Sequence, residues 1–289
     1  SAGPDFVVQG EYEGTIGRAA KVGAQVIALG NGEFTAVLYQ NGLPGAGWNG
    51  KTKIELQGKT ADGKTTFSGS NFHGTIADGT FSGTAENDVA FSLKKVKRKS
   101  PTLKAAPPEG ALVLFDGTNV DAWAEGPLDK KRLGVPARTK QSFKDFTLHL
   151  EFRTPFMPEE RGQQRGNSGV YLLDQYECQV LDSFGLTGED NECGGIYKAS
   201  KPLVNMCFPP LSWQTYDIDF TAARFNNEGK KVSDASVTVR QNGVVINEKL
   251  KLTQPTPGGG RSDEKPGALY LQDHGDPVRY RNIWIVEKS

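Results

Sequence analysis

Gly166-Asn167-Ser168-Gly169-Val170-Tyr171-Leu172 is followed three residues later by Tyr176-Glu177-Cys178-Gln179-Val180-Leu181-Asp182-Ser183. Both runs carry the marks of short strands. Side chains two apart on a strand share a face. Glu177 and Gln179 therefore point one way and Cys178 the other, as a small core residue.

The same pattern extends in both directions. Phe146–Arg153, Trp213–Phe220, Ala235–Arg240, Val244–Asn247, Leu269–Gln272 and Tyr280–Val286 are short runs, many alternating apolar with polar. No long stretch has a convincing period of 3.6. So many short strands predict two packed antiparallel sheets, an all-β jelly-roll sandwich over residues 111–289. Such sandwiches place binding sites on one concave sheet face or in the rim loops.

Residues 1–93 read as a separate, small antiparallel β unit: a meander, sandwich or partial barrel. Thr66-Phe67-Ser68-Gly69 and Thr80-Phe81-Ser82-Gly83 echo each other, as successive hairpin strands would. Asn-Gly and Asp-Gly pairs mark the turns. Residues 94–110 join a basic run, Lys94-Lys95-Val96-Lys97-Arg98-Lys99, to Ala105-Ala106-Pro107-Pro108. That composition predicts a solvated linker.

The chain of 289 residues balances 34 basic against 34 acidic side chains. Such balance leaves no electrostatic footprint for nucleic acid. No apolar run nears the roughly 20 residues of a membrane span. The opening Ser1-Ala2-Gly3-Pro4 reads as a processed terminus, with a signal peptide already removed and the protein exported to the periplasm or cell surface. In such a chain three cysteines suggest one disulfide and one buried thiol. Cys193 and Cys207 lie in loop-like sequence and are the better pair. A cysteine metal site has less support, because no histidine lies near and no CxxC spacing occurs.

Several segments are more specific. The second unit opens with Leu114-Phe115-Asp116-Gly117 and reaches Trp123. The Gly166–Ser183 stretch follows, then Gly195-Ile196-Tyr197, Pro202-Leu203-Val204-Asn205 and Trp213-Gln214-Thr215-Tyr216-Asp217. The closing run is Leu271-Gln272-Asp273-His274-Gly275-Asp276-Pro277, continuing through Arg279-Tyr280-Arg281 to Trp284. In this order, over residues 110–288, they resemble the 3-keto-disaccharide hydrolase family. The segment after Trp123, Gly126 to Arg132, looks short for that family. The resemblance implies a concanavalin A- or laminin G-like jelly roll. It also implies cleavage of glycosidic bonds in sugars oxidised to the 3-ketone.

A 3-ketone acidifies the C2 proton, so the reaction asks for a base, an oxyanion stabiliser and an acid for the leaving group. Ordinary glycoside hydrolysis asks instead for two carboxyls about 5 to 10 Å apart. Glu177, Asp182 and His274 are the catalytic candidates, and the same three could hold a divalent cation. Against this, Glu177 and Gln179 could be a solvated stripe, Asp182 a turn cap and His274 a turn anchor. Asn167, Gln179, Tyr197, Lys198, Asn205, Gln272 and Arg281 are candidates for binding sugar; for Lys198 plain exposure is the simpler reading. His149 reads as a hydrogen-bonded sheet residue. No GxGxxG, P-loop or GxSxG is present, so a nucleotide cofactor and serine-esterase chemistry lose their usual support. A non-catalytic carbohydrate-binding or cell-surface module is the alternative function.

Overall fold

The computed structural model describes residues 2–260, 262 and 264–288. After the short helix α1 (Pro4–Val8), the first eight strands are β1 (Gly10–Ile16), β2 (Ala20–Gly30), β3 (Glu33–Gln40), β4 (Lys53–Ala61), β5 (Lys64–Gly69), β6 (Phe72–Ala77), β7 (Thr80–Thr84) and β8 (Ala90–Val96). Each pairs antiparallel with the next, and β8 returns to β1, closing a barrel. Asn31-Gly32, Asp62-Gly63 and Asp78-Gly79 turn its hairpins with positive φ at both residues, the geometry that matches strand twist.

The barrel is filled by side chains. Tyr12, Phe34, Phe67, Phe81, Phe91 and Leu93 meet inside. The two Phe of the sequence echo, Phe67 and Phe81, lie 4.9 Å apart between ring centroids. A second cluster of this unit gathers Ile27, Val37, Tyr39, Leu43 and Phe184. The unit comprises Ser1–Arg98 with Phe156–Gly162 and Phe184–Leu186.

The second unit takes the rest of the chain. Its strands are β9 (Leu112–Phe115), β10 (Trp123–Glu125), β11 (Leu128–Asp129), β12 (Arg132–Leu133), β13 (Ala137–Phe143), β14 (Phe146–Arg153), β15 (Ser168–Leu172) and β16 (Tyr176–Val180). They continue with β17 (Gln214–Thr221), β18 (Arg224–Phe225), β19 (Lys231–Ser233), β20 (Ala235–Gln241), β21 (Val244–Leu252), β22 (Gly267–Leu271) and β23 (Arg279–Glu287). One sheet has the order β10-β13-β22-β15-β16; the other runs β11-β12-β23-β14-β17-β20-β21 with β9 beside β23. Between them lies a core that includes Phe146, Leu148, Phe152, Val170, Leu172, Cys178, Tyr216, Leu271 and Tyr280. This is the all-β jelly roll the strand pattern predicts. No helix among the described residues is long and apolar enough to cross a membrane.

The basic run is no solvated tether. Lys94, Lys95 and Val96 belong to β8, and Arg98 forms an ion pair with buried Glu11 at 2.5 Å. Further on, Ser100 Oγ lies 2.6 Å from Thr215 Oγ1, and the Lys104 amide donates to Glu151. Charge and proline content describe composition, not the partners a segment finds.

Candidate active site on the five-stranded sheet

Along β15 and β16 the side chains alternate. Val170, Leu172, Tyr176, Cys178 and Val180 enter the core, so Gly169, Tyr171, Glu177 and Gln179 face away from it. Strand register then builds two rows. Tyr270, Tyr171 and Glu177 stand side by side. Gln272, Gly169 and Gln179 form the next row, with the Gln272 amide donating to the Gly169 carbonyl at 2.9 Å.

Gly169 makes room for the carboxylate. A Cβ there would fall 2.2 Å from Glu177 Oε1, so Glu177 lies over bare backbone. The Tyr171 hydroxyl donates to Glu177 Oε2 at 2.8 Å and lies 3.4 Å from the Pro257 carbonyl. The Glu177 amide donates to Thr256 Oγ1 at 2.9 Å, tying the loop after β21 to this strand. Glu177 is left 3% exposed. Burial pushes its carboxyl up to about 7, against the opposing pull of the Tyr171 hydrogen bond. A carboxyl half-ionised near neutrality can both take and return a proton.

Amides surround it. Gln179 Nε2 donates to Gln163 Oε1 at 2.9 Å, and Asn167 Nδ2 donates to the Gln163 carbonyl at 2.9 Å. The side-chain oxygens of Asn167, Gln179 and Gln272 are buried with no protein partner among the described residues. Buried acceptors left unmatched are costly, and sugar hydroxyls are donors of the right kind. Beyond Tyr270, the Arg138 guanidinium lies 4.1 Å from that ring's centroid and pairs with Asp174.

The other expected residues go elsewhere. Asp182 is 2% exposed and held by Arg165 Nε at 2.8 Å; its carboxylate is a buried ion-pair partner. His274 is exposed in the loop between β22 and β23. Among the described residues no three His, Cys, Asp or Glu side chains converge to hold a metal, so Glu177, Asp182 and His274 are not gathered into one cluster. Asn205 donates to the Ser183 carbonyl at 2.8 Å and accepts from the Cys207 amide at 2.9 Å, a structural role. Arg281 lies on the other sheet, paired with Glu151 at 2.6 Å. Tyr197 is half-buried, its amide bonded to the Glu177 carbonyl. Lys198 is exposed and faces Asp190 at 3.6 Å. Cys178, Cys193 and Cys207 are all free, buried thiols. The expected pair is brought together but not bridged: the Cys193 and Cys207 thiols interact with each other, while Cys207 Sγ lies 3.5 Å from the carbonyls of Leu181 and Phe208 and Cys193 Sγ 3.3 Å from Tyr216 Oη.

Sequence reasoning missed Tyr171, Gly169 and Gln163. The signal for Tyr171 was the three-residue interval after Leu172. It pairs Leu172 with Tyr176 and so sets Tyr171 opposite Glu177.

A second titratable cluster sits on the outer face of the eight-stranded sheet. His149 Nδ1 lies 2.6 Å from Asp217 Oδ1, and its ring stacks on Trp284 at 5.1 Å. Residues 100–105 close over it: Thr102 Oγ1 donates to Asp217 at 2.7 Å, and the Ala105 carbonyl accepts from Asn282 at 3.0 Å. His149 and Glu151 are fully buried, so this network holds the strap rather than a substrate.

The profile of the 3-keto-alpha-glucoside-1,2-lyase-like domain matches residues 110–286. The chain belongs to this family. The family match spans the Glu177 face and both sheets, and leaves β1–β8 outside. Among solved structures, a Parabacteroides distasonis protein provisionally named a glycosyl hydrolase is 36% identical, covering 63% of this chain and 85% of its own, with a TM-score of 0.56. Two further P. distasonis structures bearing the same provisional name are 17% and 21% identical. They cover 63% and 62% of this chain and 95% and 94% of their own, with TM-scores of 0.44 and 0.40. No curated protein matches the chain.

Proposed function

We propose that the second unit cleaves the glycosidic bond of a 3-keto sugar, with Glu177 as the group that moves the C2 proton. The observation that carries this reading is the buried Glu177 carboxyl, hydrogen-bonded by Tyr171 and pushed by burial up to about 7. Ionised, Glu177 takes the proton from C2, which the neighbouring ketone acidifies. The electron pair forms the C1–C2 double bond as the C1–O bond breaks, and the departing oxygen takes a proton from solvent to become an alcohol. Water then adds at C1 and gives up one proton to solvent, and Glu177, its own proton having exchanged with solvent, delivers one to C2. The sum is hydrolysis; stopping after the first half gives a lyase product. The unmatched oxygens of Asn167, Gln179 and Gln272 accept the sugar's hydroxyls. The family match and the 36% identical relative support a glycosidase, and the keto-sugar specificity rests on the family's description.

The test is incubation with 3-keto-trehalose, 3-keto-sucrose and their unoxidised parents in D2O. Release of monosaccharide from the keto sugars alone, with deuterium at C2, is expected of the wild type and absent in Glu177→Gln. A folded wild type that cleaves none of them would overturn the reading and favour a carbohydrate-binding module.

A further inference from the structure

Four arginines meet on the outer face of the eight-stranded sheet, away from Glu177. Arg132 lies on β12, Arg153 on β14, and Arg279 and Arg281 on β23. Register sets Arg153 beside Arg279. Two carboxylates answer them. Asp129 takes Arg132 at 2.9 Å and Arg279 at 3.1 Å, while Glu151 takes Arg281 at 2.6 Å. Arg153 has no carboxylate partner among the described residues. Its guanidinium lies 5.2 Å from the Trp213 ring centroid, and Arg281 lies 3.9 Å from the same ring.

The group is thus cationic in excess, four guanidiniums against two carboxylates, in a chain whose total charge balances. Burial first, and then the charges of Arg132, Arg281 and Arg279, disfavour the protonated form of Arg153, with Asp129 opposing them only in part. Arg132, Arg279 and Arg281 keep about a quarter of their side chains exposed, so a solute can reach them. Guanidinium forks match the paired oxygens of carboxylate and sulfate.

We propose that this face is an oxyanion site, centred on Arg153, that takes the carboxylate or sulfate group of an acidic saccharide. The Trp213 indole beside the arginines gives the sugar ring an apolar neighbour and reports on its arrival.

The experiment follows tryptophan fluorescence while D-glucuronate, glucose 6-sulfate or glucose is added at constant ionic strength. A saturable change is expected with at least one acidic sugar and not with glucose. The tighter of the two acids identifies the anionic group. Arg153→Met should weaken that binding at least tenfold, Arg153→Lys less, and Glu177→Gln not at all. In low salt without sugar, Arg153→Met should melt no lower than wild type, because it removes a charge that its neighbours repel. The proposal is overturned by no saturable response, by an equal response to glucose, or by an Arg153→Met variant that binds as wild type. It is also overturned if Glu177→Gln, rather than Arg153→Met, abolishes the signal.

Discussion

Glu177 carries two separable consequences. As a base it must be ionised, so kcat/KM should rise through about pH 7. Glu177→Gln should lower the rate by roughly 10²–10⁴-fold with the fold intact. The stability effect has the opposite sense. A carboxyl raised in the folded state contributes stability below its ordinary value, and that contribution is lost as pH rises through about 7. Glu177→Gln should therefore be more resistant to urea than wild type at pH 8, by about 1–3 kcal/mol. At pH 4 the two should match. Gly169→Ala tests the same site sterically. Its Cβ would sit 2.2 Å from Oε1, so the carboxylate must move, and activity should fall much further than melting temperature.

At the scale of elements, residues 100–105 act as a strap on β14, β17 and β23. Burial alone would lower the pKa of His149, but Asp217 and Glu151 outweigh it and raise it. Burial opposes Glu151 as well, yet hydrogen bonds from His149, Arg281, Lys104 and Asn282 bring its carboxyl down to about 2. The His149 contribution is present below the ordinary imidazole pKa and lost as pH rises through the raised one. The Glu151 contribution is present above the ordinary carboxylate pKa and lost as pH falls toward about 2. Glu151→Gln leaves Arg281 without its charge partner and His149 with Asp217 alone, and should cost about 3–5 kcal/mol in chemical denaturation at pH 7. Amide exchange at Lys104, whose N–H is held by Glu151, should accelerate in the same variant.

Across the whole molecule, each unit carries its own core, and each core can be tested. In the unit that holds the barrel, Phe184 packs with Ile27, Val37, Tyr39 and Leu43, although it is far from them in sequence. Phe184→Ala should cost about 3–5 kcal/mol of that unit's stability, read by hydrogen exchange in β2 and β3. In the second unit the three thiols are buried. A thiol reagent should label none in the native protein and three after unfolding in guanidinium without reductant. One thiol would mean that Cys193 and Cys207 are bridged after all.

Period-two patterning is local and stands in the sequence. It was enough for the jelly roll, for the hairpin turns, and for the shared face of Glu177 and Gln179. His149 was also legible, because a polar residue inside an alternating strand must be satisfied by its neighbours. What the sequence could not supply was which distant groups compete for the same atoms. Asp182 reads as a ligand until Arg165 occupies it. Arg281 reads as a sugar contact until Glu151 claims it across β14. Cys193 and Cys207 read as a bridge, and the fold does bring the two thiols together, buried and unbridged. Residues 94–110 read as a tether until Thr215, Asp217 and Glu151 hold part of them. The sequence determined which residues could share a face; tertiary structure decided which of them stay open to a substrate, because burial and partner choice depend on strands brought together from far along the chain.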